Sequence, residues 1–152
     1  MNISIFKVEE NEQKIGIMKK CDSAFPIGLF ERKNCDEIVR KIVCNAFFYA
    51  AFRSYEGGLE PIGYNAFYAN DYETKVAYIS NIGVLDGFQR NHVGSELMRK
   101  CIEISKSEGM DILRLEVLKK NSKAIAFYTK WDFSFEGEGD GDTFYMSRRL
   151  NL

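Results

Sequence analysis

The chain has 152 residues, 21 Lys and Arg against 22 Asp and Glu, a formal net charge of −1 and one histidine, His92. That length fits a single domain with a single core, and the near-zero charge argues against a general nucleic-acid binder. The lone histidine excludes a His-rich zinc site.

The cysteines are Cys21, Cys35, Cys44 and Cys101, with no CxxC pair, so they read as reduced, mostly buried thiols of a cytosolic protein. The opening MNISIFKVEENEQK lacks a basic-then-apolar leader, and no apolar run approaches the roughly 20 residues that span a membrane. A cytoplasmic location with no membrane partner is expected.

In chain order, alternation from Ile3 to Val8 predicts a short strand. Gln13 to Lys20 predicts a short helix, weakened by Gly16. Cys35 to Val43 predicts another, with Ile38, Val39 and Ile42 at helical spacing and Asp36 as its cap or in its first turn. Ala46 to Phe52 has strand composition, and Glu56-Gly57-Gly58 supplies a turn. Pro61 to Ala69 and Lys75 to Leu85 complete an expected three-stranded meander. Ser95 to Glu108 is an amphipathic helix with Gly109 as its C-terminal cap. Ile112 to Leu118 is a strand. Asn121 or Ser122 caps a helix reaching about Lys130. Phe133–Glu136 and Thr143–Arg149 pair as a hairpin across Gly137–Gly141. The strand Thr143–Arg149 is expected near a sheet edge, where it is a candidate for pairing in a homodimer. The sum is a mixed α/β (α+β) fold with one locally parallel strand pair over residues 76–118.

The chemistry concentrates in residues 78–98, where a strand enters a polar loop that opens a long helix. The first N–H groups of a helix lack intrahelical partners and carry the positive end of its dipole, which makes an anion site. Gly94 removes the Cβ that would hinder approach of an anion. Gln89, Arg90, Asn91 and Ser95 add donors, and the loop is neither a Walker A nor a GxGxxG sequence. The competing reading is an ordinary polar loop before a helix.

The run Gln89-Arg90-Asn91-His92-Val93-Gly94 resembles the acetyl-CoA signature Arg/Gln-x-x-Gly-x-Gly/Ala of the GNAT superfamily of N-acetyltransferases, with His92 at the middle glycine. Leu115-Glu116-Val117, Asn121, Ala124, Tyr128 and Phe133 resemble that family's strand five and the helix after it, with Asp132 where glycine is usual. The match covers residues 76–135.

The resemblance implies a GNAT-like acyl-CoA N-acyltransferase fold. Its sheet is mostly antiparallel, flanked by helices, with parallel strands four and five splayed apart. It implies one domain over residues 1–152: an acceptor-side half (1–75), an acetyl-CoA-binding core (76–135) and a C-terminal hairpin strand (136–152). It implies an acetyl-CoA-dependent N-acetyltransferase with a small-molecule or protein amine as acceptor, and no metal, nucleic acid or membrane partner, acting as a monomer or homodimer.

It also implies residue roles. Ile82, Gly83 and Val84 would face the pantetheine arm and offer backbone donors to the thioester oxygen. Gln89, Arg90, Asn91, His92, Val93, Gly94 and Ser95 would hold the pyrophosphate. Asn121 would bond the pantetheine arm while capping its helix, the two roles drawing on separate groups, and Ala124 lies in register with it. Tyr128 would protonate the leaving thiolate, a phenol with pKa about 10 being protonated at neutral pH. Glu116, mid-strand and five residues before Asn121, resembles the base of ribosomal-protein alanine acetyltransferases. Its alternative roles are a solvated carboxylate or a partner of Arg114, with a water chain at Tyr78 or Ser80 as the substitute base.

The aromatic residues Phe47, Phe48, Tyr49, Phe52, Tyr55, Tyr64, Phe67 and Tyr68 are divided by alternation between core and a possible acceptor pocket. The alternative function, favoured by His92 and Asp132 at glycine positions, is an inactive acyl-CoA-binding or regulatory module of the same fold.

Overall fold

The computed structural model describes residues 2–151. Its strands are β1 (Ile3–Lys7), β2 (Phe47–Tyr55), β3 (Gly58–Tyr68), β4 (Val76–Val84), β5 (Ile112–Leu118), β6 (Ser134–Glu138) and β7 (Thr143–Arg149). Its α-helices are α1 (Asn11–Lys20), α2 (Cys35–Asn45), α3 (Val93–Ser107) and α4 (Ser122–Lys130). The seven strands form one sheet in the order β1-β2-β3-β4-β5-β7-β6. Pairing is antiparallel for β1/β2, β2/β3, β5/β7 and β6/β7, and parallel for β4/β5.

The chain divides into two compact units. One runs to Phe67 and resumes from Asn81 to Cys101; the other comprises Tyr68–Ser80 and the chain from Ile102 onward. In the first unit, β2 and β3 carry the apolar load. Phe48, Ala50, Ala51, Tyr64, Ala66 and Phe67 are almost wholly buried, as are Met18 of α1 and Ile42 of α2. Stacking of Phe48 on Tyr64 at 5.2 Å and Phe47 on Phe67 at 5.5 Å follows from their cross-strand positions. A bulge on β3, between Ala51↔Gly63 and Phe52↔Pro61, leaves Ile62 as the extra residue.

In the second unit, the β4/β5 ladder runs from Val76↔Ile112 to Ile79↔Leu115. Leu113, Leu115 and Val117 are buried while Ile112, Arg114, Glu116 and Leu118 are half-exposed, so alternation assigns the faces of β5 correctly. Burying such an aliphatic side chain contributes about 1.5–3 kcal/mol. Helix α3 ends at Gly109, φ 82°, with the amides of Gly109 and Met110 bonded to the carbonyls of Lys106 and Ser105. That double bond is the Schellman closure.

Two expectations need correction, and one segment carries structure that no expectation covered. The strand Thr143–Arg149 is not a sheet edge: β7 lies between β5 and β6, and β6 is the terminal strand. Helix α3 begins at Val93 rather than Ser95, because the His92 carbonyl already accepts the Glu96 amide at 3.0 Å. Residues 21–34 hold two 3₁₀ turns, Asp22–Ala24 and Leu29–Glu31, which apolar periodicity does not reveal.

Candidate active site

Within the first unit, β4 ends at Val84 and the chain turns through residues 85–92 into α3. The loop is fastened at its start: the Leu85 amide donates to the Ile62 carbonyl at 2.8 Å, and the Gln89 side-chain amide donates to the Val84 carbonyl at 3.0 Å. Gln89 therefore acts first as a loop brace. A 3₁₀ turn over Gln89–Asn91 follows, and then His92 takes φ 60°, ψ 20°, the left-handed conformation of a glycine. His92 is the N-cap of α3 through its carbonyl, and its side chain is exposed. Val93, Leu97, Met98 and Cys101 are buried and fix the helix. The Asn65 amide, also buried, donates to the Leu97 carbonyl at 3.1 Å.

The resulting N-terminus presents the first-turn amides of Val93, Gly94 and Ser95. By helix geometry these have no partner four residues back. Arg90 and Asn91 are exposed beside them, and Gly94 and Ser95 are half-buried. Such a donor set, backbone amides on a 15-residue helix with a guanidinium alongside, suits an anion with several oxygens.

On the same unit, Asn81, Ile82, Gly83 and Val84 form the end of β4. The Asn81 amide donates to the buried Tyr64 hydroxyl at 2.8 Å. Burial pushes the Tyr64 phenol well above its ordinary value, against the pull of that hydrogen bond. The Phe25 ring lies edge-on to Tyr64, centroids 5.8 Å apart and planes at 65°. Asp22, Phe25 and Asn81 had no assigned role in the sequence. The one local signal was Asn81, a polar residue between Ile79 and Ile82 in an apolar strand.

Within the second unit, Glu116 projects from the half-exposed face of β5 and accepts a hydrogen bond from the Thr143 hydroxyl on β7. Arg114 pairs instead with Glu136, Nε to Oε1 at 2.7 Å, and is not the partner of Glu116 among the described bonds. The Asn121 side-chain oxygen accepts the Ala124 amide at 3.2 Å and so caps α4. Capping thus uses the side-chain oxygen rather than the backbone alone, so any second role for Asn121 would have to draw on its side-chain NH₂. Tyr128 is half-exposed on α4, with its ring 5.7 Å from Phe127 and 5.8 Å from Phe133. Its carbonyl accepts the Phe133 amide at 3.0 Å, and Asp132 between them has φ 71°.

Of the aromatic stretch, Phe48, Tyr49, Phe52, Tyr64 and Phe67 are buried core, Phe47 and Tyr68 are half-buried, and Tyr55 is exposed. Tyr55 lines an open cleft of about 520 Å³ with Lys20, Arg53, Leu59 and Glu60. The charges there are mutually paired, Arg53 to Glu60 at 2.6 Å and Lys20 to Glu60 at 3.6 Å. Among the described residues there is no cluster of three or more His, Cys, Asp or Glu able to hold a metal ion, and no helix long and apolar enough to cross a membrane.

The two glycine-like turns, at His92 and Asp132, fall at the two positions where the sequence signature expects glycine. The model of the acetyltransferase (GNAT) family matches residues 12–133, and the chain belongs to that family. A curated relative, the uncharacterized N-acetyltransferase CgeE of Bacillus subtilis (strain 168), is 37% identical over 73 residues, covering 48% of this chain. The chain spans only 27% of that relative's length. An acetyltransferase of the GNAT family from Staphylococcus aureus Mu50 has the same fold, with TM-score 0.76, 18% identity and coverage of 99% of this chain and 100% of its own. The PaiA N-acetyltransferase of Thermoplasma acidophilum, solved in complex with coenzyme A, is similar with TM-score 0.71 and 18% identity, covering 98% of this chain and 99% of its own.

Proposed function

We propose that the chain transfers an acetyl group from acetyl-CoA to a primary amine by direct attack. The observation that carries the reading is the left-handed His92, φ 60°, which keeps a glycine-like turn at the start of α3 although the residue is not glycine. The pyrophosphate of CoA fits the donor set of that turn: the amides of Val93, Gly94 and Ser95, with Arg90 and Asn91 beside them and Gln89 bracing the loop.

Bound acetyl-CoA supplies an activated acyl carbon as a thioester. The backbone of Ile82, Gly83 and Val84 offers N–H groups to the pantetheine amides, as an added strand would use them, and to the thioester oxygen as negative charge grows on it. The NH₂ of Asn121 bonds the pantetheine arm while its oxygen holds the helix cap, with Ala124 the residue capped. Glu116, oriented by Thr143, takes a proton from the amine directly or through water. Tyr128 gives a proton to the departing sulfur. In balance, a C–N bond forms, the C–S bond breaks, and the proton lost by the amine is matched by the one that CoA thiol gains.

The second reading, an inactive acyl-CoA-binding module, drew on the missing glycines. The retained left-handed backbone at both positions removes that argument without separating binding from catalysis. A thiol-release assay with acetyl-CoA and a panel of small amines, amino sugars and peptide amines separates the two. CoA release that depends on an amine supports the transferase. Tight binding of acetyl-CoA without release under any amine supports the module.

A further inference from the structure

On the assumption that the transferase reading holds, we propose that Phe25 sets the size of the acyl group, restricting the donor to acetyl-CoA. A Cβ on Gly83 would lie 2.7 Å from Phe25 Cζ and 2.9 Å from Cε1, with Ala24 Cβ at 3.3 Å. The side-chain space of this β4 residue is therefore filled by a ring delivered from another segment.

The ring is held from several sides. Tyr64 supports it edge-on at 5.8 Å, and Tyr64 is itself fully buried against Phe48 and bonded to Asn81. Asn81 and Gly83 share one face of β4 by alternation. The segment carrying Phe25 is closed by Asp22, whose carboxylate accepts the Leu29 amide at 2.7 Å and the Phe30 amide at 3.3 Å. Gly28 has no room for a Cβ beside that carboxylate. On the other side, a Cβ on Gly63 would come within 2.7 Å of the Gly83 carbonyl oxygen, so β3 and β4 leave no gap for a chain between them. An acyl carbon held at the backbone of Ile82–Val84 would then place a methyl group short of the Phe25 ring and drive a longer chain against it. A hydrophobic wall of this kind discriminates about 10–200-fold per methylene.

The test compares CoA, acetyl-CoA and butyryl-CoA on the intact wild type and on Phe25→Ala. Dissociation constants come from calorimetry, and kcat/KM from thiol release with one amine. The expected result is that Phe25→Ala tightens butyryl-CoA relative to acetyl-CoA by about tenfold or more and raises the butyryl/acetyl ratio of kcat/KM in step, with affinity for CoA itself unchanged. If Phe25→Ala does not fold, Phe25→Leu is read the same way, with a smaller shift in the same direction. An active wild type whose variants keep both ratios within about twofold would overturn the inference alone. A wild type that binds none of the three, or releases no CoA with any amine, would overturn the transferase reading and this inference with it.

Discussion

The amide of Phe133 donates to the carbonyl of Tyr128 at 3.0 Å, spanning the left-handed Asp132. With the Asp132 amide on the Thr129 carbonyl at 3.0 Å, this is a complete Schellman closure of α4, and the rings of Tyr128 and Phe133 make its hydrophobic contact. Asp132 is the costly member. A non-glycine residue in the left-handed region costs about 1–2 kcal/mol, and a carboxylate at the negative end of a helix adds about 0.3–1 kcal/mol. Glycine would give back about 0.4–1 kcal/mol through the unfolded chain. Asp132→Gly is expected to stabilise the protein by about 1 kcal/mol, read as a higher denaturant midpoint at unchanged slope. Asp132→Asn should recover the charge component alone. A fall in stability for both would mean that the carboxylate has a favourable role in the fold.

His92 occupies the same conformation at the opposite kind of helix end. His92→Gly is expected to raise stability by up to about 1 kcal/mol for the same steric reason. Because the site presents backbone amides, affinity for CoA should stay within about twofold. A tenfold loss of affinity, measured by calorimetry, would show instead that the imidazole itself reaches a phosphate.

Those two positions also show what the sequence exposes and what it hides. Helices α3 and α4 were legible because Leu97, Met98, Cys101 and Ile102 recur at helical spacing, and because Asn121 caps through its side chain, a short-range bond. Strand β5 was legible because its faces alternate cleanly. The segment from Asp22 to Glu31 was not, since two three-residue 3₁₀ turns have no periodicity and their organising contact, Asp22 to Leu29 and Phe30, is a side chain gripping distant amides. Phe25 was hidden for the same reason: its role depends on Gly83, far away along the chain. The place of β7 inside the sheet was missed because a hairpin predicts the β6/β7 pair but says nothing of β5 on its other side.

The roles proposed for Tyr128 and Glu116 predict separable kinetic signatures. Tyr128→Phe keeps the ring packing against Phe127 and Phe133 and removes only the hydroxyl. It is expected to lower kcat by about 10²–10⁴-fold, the usual range for a general acid, with little change in acetyl-CoA affinity. Equal losses in kcat and affinity would assign the tyrosine to packing. Glu116→Gln retains a hydrogen-bond acceptor for Thr143 and should shift the pH profile of kcat/KM if Glu116 is the base. An unchanged profile would assign the base to water.

The alkaline limit of stability should be set by buried acids whose ionised forms the fold excludes. Burial raises the Cys21 thiol to about 11 from 9.0, with Lys20 pulling weakly the other way, and burial raises the Tyr68 phenol to about 12 from 10.0. A raised folded-state value means that the stabilisation is complete below the unfolded value and is lost as pH rises toward the folded one. For Cys21 that window runs from about pH 9 to about pH 11, with a slope of at most about 1.4 kcal/mol per pH unit. Cys21→Ala leaves a small cavity and lowers stability at all pH values, but it removes the titrating group. The unfolding free energy of the wild type should therefore fall more steeply across this window than that of Cys21→Ala, while the two run parallel below pH 8. Denaturant titrations at about pH 7, 8, 9 and 10 measure this, and parallel curves throughout would mean that Cys21 ionises as readily in the folded chain as in the unfolded one.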